Sequence, residues 1–133
     1  MTATSIEAER IVNDILSSNN EILAISVMNR KGNILSAKSR ESFKKRFEVS
    51  SLDENRDSGA LAIATLSVVN QVKDVFEEPL AIITIHKGCK LMLLPMLSYD
   101  LLIGLALEHP DNTDDDKIAK EIERLVADTL EPQ

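Results

Sequence analysis

The residue types able to do chemistry fall in three short stretches. His86-Lys87-Gly88-Cys89-Lys90 sets an imidazole three residues from the single cysteine, and His109 follows 23 residues after His86. A Cys–His pair is the raw material of a zinc site or of a thiolate nucleophile. Zinc needs three or four ligands at suitable spacing, and there is no second cysteine. A nucleophilic Cys89 would need a lowered pKa and a paired base; Lys87 and Lys90 lower it only slightly. The expectation is an inert thiol at a turn or strand end, with exposed turn histidines. The second stretch is basic: Lys38, Arg40, Lys44, Lys45 and Arg46 put five positive charges into nine residues. Such a run can meet an acidic partner, a phosphate-bearing ligand or a membrane surface. Asp53, Glu54 and Asp57 follow, so it also reads as a solvated loop neutralised by its neighbours. The third, Asp111 to Asp116, reads as acids at a helix N-terminus. No P-loop, dinucleotide-binding glycine pattern or nucleophile elbow occurs. No catalytic residue, cofactor or metal is therefore expected.

Composition narrows the class further. The net charge is −7 over 133 residues, which argues against a whole-protein role on nucleic acid or acidic lipid. Aromatic residues are 3% with no Trp, too few for stacking bases or flat cofactors. One cysteine allows no internal disulfide and fits a reducing, cytoplasmic setting. Met1 to Asn20 carries charges throughout and lacks the apolar core of a leader. The apolar strings are broken by Lys, Gly, Pro and Asp, so no membrane span is expected. The length suits one domain over residues 1–133, with 1–5 and 131–133 frayed.

The elements that must position these residues are legible from periodicity. Ile6 to Ser18 is predicted as an amphipathic helix. Ile22 to Met28 and Ile34 to Lys38 form a hairpin, with Gly32 supplying a positive φ in the turn. Residues 39–57 read as an irregular connection. A long helix is expected from about Gly59 to Phe76, capped by Asp57 or Ser58 and closed before Pro79. Its stripe Leu61, Thr65, Val68, Val72 and Val75 is expected to face the sheet. From Ala60 to Val69 that helix is apolar or small nearly all round, so its other side needs a second molecule as cover. Pro79 to Glu108 reads as three consecutive strands, the first from Leu80 to Ile85, with turns at His86–Lys90 and Pro95–Asp100. They are apolar almost without alternation, so both sheet faces should be covered. Gly104 in the last strand suggests a close backbone or helix approach. Thr113 is expected to cap a final helix ending near Leu130.

This pattern resembles the Roadblock (dynein light-chain) domain, a relative of the longin and profilin-like folds, in a prokaryotic-type single-domain form. The resemblance rests on AIITI–HKGCK–LMLLPMLSYD–LLIGLALE, on the hairpin VMNRKGNILSA and on the helix LAIATLSVVNQV, and covers Ile6 to Leu130. It implies an α+β fold with element order α-β-β-α-β-β-β-α. A five-stranded antiparallel sheet would carry the middle helix on one face and the two terminal helices on the other. It also implies a dimer through the middle helix and the following edge strand. Ala60, Ile63, Ala64, Ser67, Leu80, Ile82 and Thr84 are the interface candidates. The function expected is a non-enzymatic homodimeric platform that binds and regulates a small Ras-like GTPase, or pairs with another Roadblock-like subunit in a scaffold. The alternative is a small-molecule sensor on the profilin-like sheet. Low aromatic content and a lack of buried polar residues along the sheet weigh against it.

Overall fold

The computed structural model describes residues 3–47, 54–108 and 113–131. Thr4 opens helix α1 (Ser5–Ser18) with a capping box. Its hydroxyl accepts from the Glu7 amide, and the Glu7 carboxylate accepts from the Thr4 amide. Strands β1 (Ile22–Met28) and β2 (Ile34–Ser39) follow as the expected hairpin. Asn29 organises its turn, accepting from the Lys31 and Asn33 amides, and Gly32 takes the positive φ of 84°.

The connection after β2 is not wholly irregular, as Glu41–Phe47 form a short helix, α2. Residues 48–53 of that stretch, Asp53 among them, lie outside the described residues. Helix α3 (Glu54–Phe76) begins five residues before the expected Gly59. Asp57 and Ser58 therefore lie inside it rather than capping it. It stops at Glu77, a non-glycine residue at φ 67°. Strands β3 (Ile82–Ile85), β4 (Lys90–Met96) and β5 (Leu101–Leu107) form the meander, and α4 (Asp115–Leu130) follows.

Two expectations fail in the meander, both for reasons of pairing. β3 is two residues shorter than predicted, because Leu80 and Ala81 pack on the core before the ladder starts. Pro95 does not break β4 but pairs with Leu102. Pairing with β3 stops at Leu93, so one side of β4 has no ladder at Pro95 and the missing N–H is tolerated there. The turn comes later, as a 3-10 turn over Leu97–Tyr99 closed by Asp100 in the left-handed region. The cap of α4 also differs. Asp114 accepts from the Lys117 amide, and the Thr113 hydroxyl is engaged elsewhere.

The sheet order is β2-β1-β5-β4-β3, with antiparallel pairing throughout. Side-chain alternation sorts its two faces. Met92, Leu94, Ile103, Leu105 and Leu107 meet Ile11 and Ile15 of α1 and Ile122 and Val126 of α4. The opposite parity carries Met28 and Leu102, which pack with Ala62 of α3. Two terminal helices on one face and the middle helix on the other is the expected layering. Gly104 does not report a tight helix approach: a Cβ there would meet Leu93 Cδ2 at 3.5 Å, an ordinary contact.

Candidate functional site

Helix α3 has one face committed to the sheet and one face open. Ala62, Thr65 and Val69 are buried, with Leu66 half-buried beside them. The opposite side carries exposed Ala60, Ala64 and Ser67, Ile63 at 73% exposure, and Val68 and Val75. This corrects the predicted stripe: Val68 and Val75 point outward, and Ala62 and Val69 take the inner positions. The reason is that the helix is apolar on both sides, so hydrophobic period alone cannot choose its rotation. The four helix positions expected at an interface, Ala60, Ile63, Ala64 and Ser67, are all on the open side. Small residues next to Ile63 and Val68 suit a helix that another helix must approach closely. Fully burying one such aliphatic side chain is worth roughly 1.5–3 kcal/mol.

Strand β3 is the second open element. It pairs only with β4, in the register Ile82↔Leu93 to Ile85↔Lys90. Thr84 is exposed, Ile85 is 72% exposed and Ile83 is 38% exposed. The strand contains neither Pro nor charge, and such an edge invites another strand. The other edge, β2, is guarded by Lys38 and by a register shift opposite it at Val27/Met28. Among the strand candidates, Ile82 and Thr84 lie on β3. Leu80 does not; it precedes the strand and packs partly buried against the main core. Ile83, Ile85, Val68 and Val75 join the open surface without having been expected there. The alternation Ile82-Ile83-Thr84-Ile85 holds the signal, since an uncovered edge strand shows apolar side chains on both faces.

The basic run is divided between different tasks. Arg40 donates from Nε to the Ile22 carbonyl (2.6 Å) and from Nη2 to the Leu16 (2.6 Å) and Asn19 (3.1 Å) carbonyls, tying the end of α1 to the start of β1. Lys38 Nζ donates to Asn13 Oδ1 of α1 (2.5 Å). Lys44, Lys45 and Arg46 lie on α2, where Lys45 is exposed.

Cys89 is buried, and His86 hydrogen-bonds Thr84 through Nε2 (2.9 Å). No group of His, Cys, Asp and Glu able to hold a metal ion occurs among the described residues. His109 lies outside them. Nothing in the local pattern hints that Lys90 is buried, yet its Nζ donates to Thr113 Oγ1 (2.6 Å) and pairs with Asp115 Oδ1 (2.7 Å). The sheet thus holds a buried charge where only apolar residues were expected. No described helix is long and apolar enough to cross a membrane.

No protein-family model matches the sequence, and no curated protein matches it either. Solved structures do. The gliding protein MglB of Thermus thermophilus is 12% identical, covers 98% of this chain and 90% of its own, and superposes with a TM-score of 0.67. An MglB structure with a tetrameric arrangement is also 12% identical, covers 98% of this chain and 95% of its own, and has a TM-score of 0.64. A Roadblock/LC7 domain from Streptomyces avermitilis is 8% identical, covers 88% of this chain and 89% of its own, and reaches 0.62. At such identities the likeness is one of fold, and in fold the chain is a Roadblock-like domain.

Proposed function

We propose that residues 1–133 form a single Roadblock-like domain acting as a cytoplasmic, non-enzymatic homodimeric platform, which binds and regulates a small Ras-like GTPase or joins a scaffold. The reading is carried by one observation. The open face of α3, with Ile63, Val68 and Val75, and the unguarded β3 edge, with Ile83 and Ile85, leave large apolar side chains in water. α3 lies partly over β4, the strand next to β3, so one partner can cover both. A second copy does this most economically, by pairing β3 with β3 and packing α3 on α3 about a two-fold axis. The structural likeness to an MglB with a tetrameric arrangement supports self-association. The GTPase arm rests on the resemblance to Roadblock platforms. Ala60, Ile63, Ala64, Ser67, Ile82 and Thr84 are the proposed dimer contacts, and Lys44, Lys45 and Arg46 remain candidates for an acidic partner.

The test is a pull-down of the host's own Ras-like GTPases, each loaded with GDP or with a non-hydrolysable GTP analogue. Capture that depends on the nucleotide supports regulation. Capture of another Roadblock-like subunit alone supports the scaffold role, and capture of neither contradicts the platform reading.

A further inference from the structure

A groove of about 420 Å³ opens at the end of the sheet where α3 hands over to β3. Its walls come from three places: residues 78–80, the end of β4 with the turn after it, and the last turns of α4. The half-buried Leu80 and Leu97, over the buried Pro95 and Met96, give it an apolar patch, while Glu78 and Glu123 bring carboxylates. No basic side chain lines it among the described residues.

The walls are held in place before any ligand arrives. Arg30 Nη2 donates to the Leu97 carbonyl (2.7 Å), and its Nε pairs with Asp100 (3.3 Å). The Asp100 amide also donates to the Leu97 carbonyl (3.1 Å), so the 97–100 turn is pinned from two sides. The Tyr99 hydroxyl donates to Glu131 Oε2 (2.7 Å), which fixes its ring against α4. That hydrogen bond first, then burial and the charges of Glu131 and Glu123, push the phenol above its ordinary pKa. A rigid concavity loses little entropy on binding.

The geometry points to a docking site for a basic peptide segment of a protein partner, with an arginine or lysine meeting Glu78 and Glu123 and its aliphatic neighbours lying on the half-buried Leu80 and Leu97. The complementarity is of two kinds. The long stems of Arg and Lys cover apolar surface while the head reaches a carboxylate. An arginine also presents a flat cation to the fixed Tyr99 ring. Anionic ligands are excluded by the same carboxylates. A polyamine would satisfy the charges but leave Leu80 and Leu97 wet. This site adjoins the α3 and β3 surface through residues 78–80, but it shares none of the proposed dimer contacts and does not rest on the dimer.

The experiment uses the full chain, labelled with nitrogen-15, and an acetylated nine-residue peptide with a central Leu-Arg-Leu flanked by Gly and Ser. Amide shifts at Leu97, Ser98, Tyr99 and Ala127 are expected. Affinity should fall about fivefold or more with Glu78→Gln plus Glu123→Gln, and equally when citrulline replaces the peptide's arginine, as loss of a charged contact requires. Glu9→Gln, on the exposed side of α1, should leave it unchanged. The proposal is overturned if no groove amide shifts up to about 5 mM peptide. It is overturned equally if citrulline binds as well as arginine, or if spermidine binds the groove as tightly as the peptide.

Discussion

Lys90 is the one buried charge among the described residues, at 3% exposure, and its partner Asp115 is 31% exposed. Their pairing predicts an asymmetry between two truncations. Asp115→Ala leaves the ammonium buried with the Thr113 hydroxyl alone. Removing one partner of a buried pair costs about 3–5 kcal/mol, and the partial exposure of Asp115 argues for the low end. Unfolding entropy of about 2.1 cal/mol/K per residue, over 133 residues, gives about 0.28 kcal/mol/K, so a loss of ~3 kcal/mol lowers Tm by ~11 °C. Lys90→Met behaves differently. It removes the buried charge and keeps most of the volume, while Asp115 retains Thr113 and water. Its expected cost is within about 1 kcal/mol, or ~4 °C. Thermal unfolding at neutral pH, followed by circular dichroism, reads both. A Lys90→Met variant as unstable as Asp115→Ala would refute the reasoning, because the ion pair itself, and not the stranding of a buried charge, would then carry the stability.

Three further outcomes are expected. Ser67→Arg or Ala64→Arg should put an unpaired charge into the proposed α3 interface and weaken self-association by ~3 kcal/mol, about 150-fold in Kd, with the helical signal intact; light scattering that shows an unchanged mass for both variants would move the interface elsewhere. Glu77→Gly should stabilise by about 0.5–1 kcal/mol in urea unfolding, since relief of the left-handed strain exceeds the added chain freedom of glycine, and a loss of stability would mean that the Glu77 side chain makes a contact worth more. Tyr99 is the only tyrosine, so tyrosinate absorbance titrates it alone. Its midpoint should lie above the ordinary value and drop in Glu131→Ala. The sign for stability follows: the folded state keeps the proton longer, so this contribution is complete below the unfolded pKa and is lost as pH rises through the folded one.

Sequence makes legible whatever the local pattern determines. The β1–β2 turn at Gly32, the strand β5 from Leu101 and the α4 stripe Ile118, Ile122 and Val126 follow from periodicity and turn chemistry. The rotation of α3 does not, because its apolar residues lie on both sides. Pro95 reads as a break because its tolerance depends on where a different strand, β3, stops pairing. Lys90 reads as a turn lysine because its partners Thr113 and Asp115 are more than twenty residues away. The open surface is legible at Ile63 and Ala64 from the need to cover apolar residues, and at Thr84 from the edge strand that the resemblance implies. Leu80 is not, since only packing shows that it turns into the core.

The proposed self-association of the intact chain would cover the open α3 face and β3 edge. Sedimentation equilibrium at about 20 µM protomer, where a micromolar dimer is mostly assembled, reads it directly. The expected mass is twice 14.7 kDa, or 29.4 kDa. A single species at 14.7 kDa would contradict it, leaving Ile63, Val75 and Ile85 open to water with no second copy to cover them.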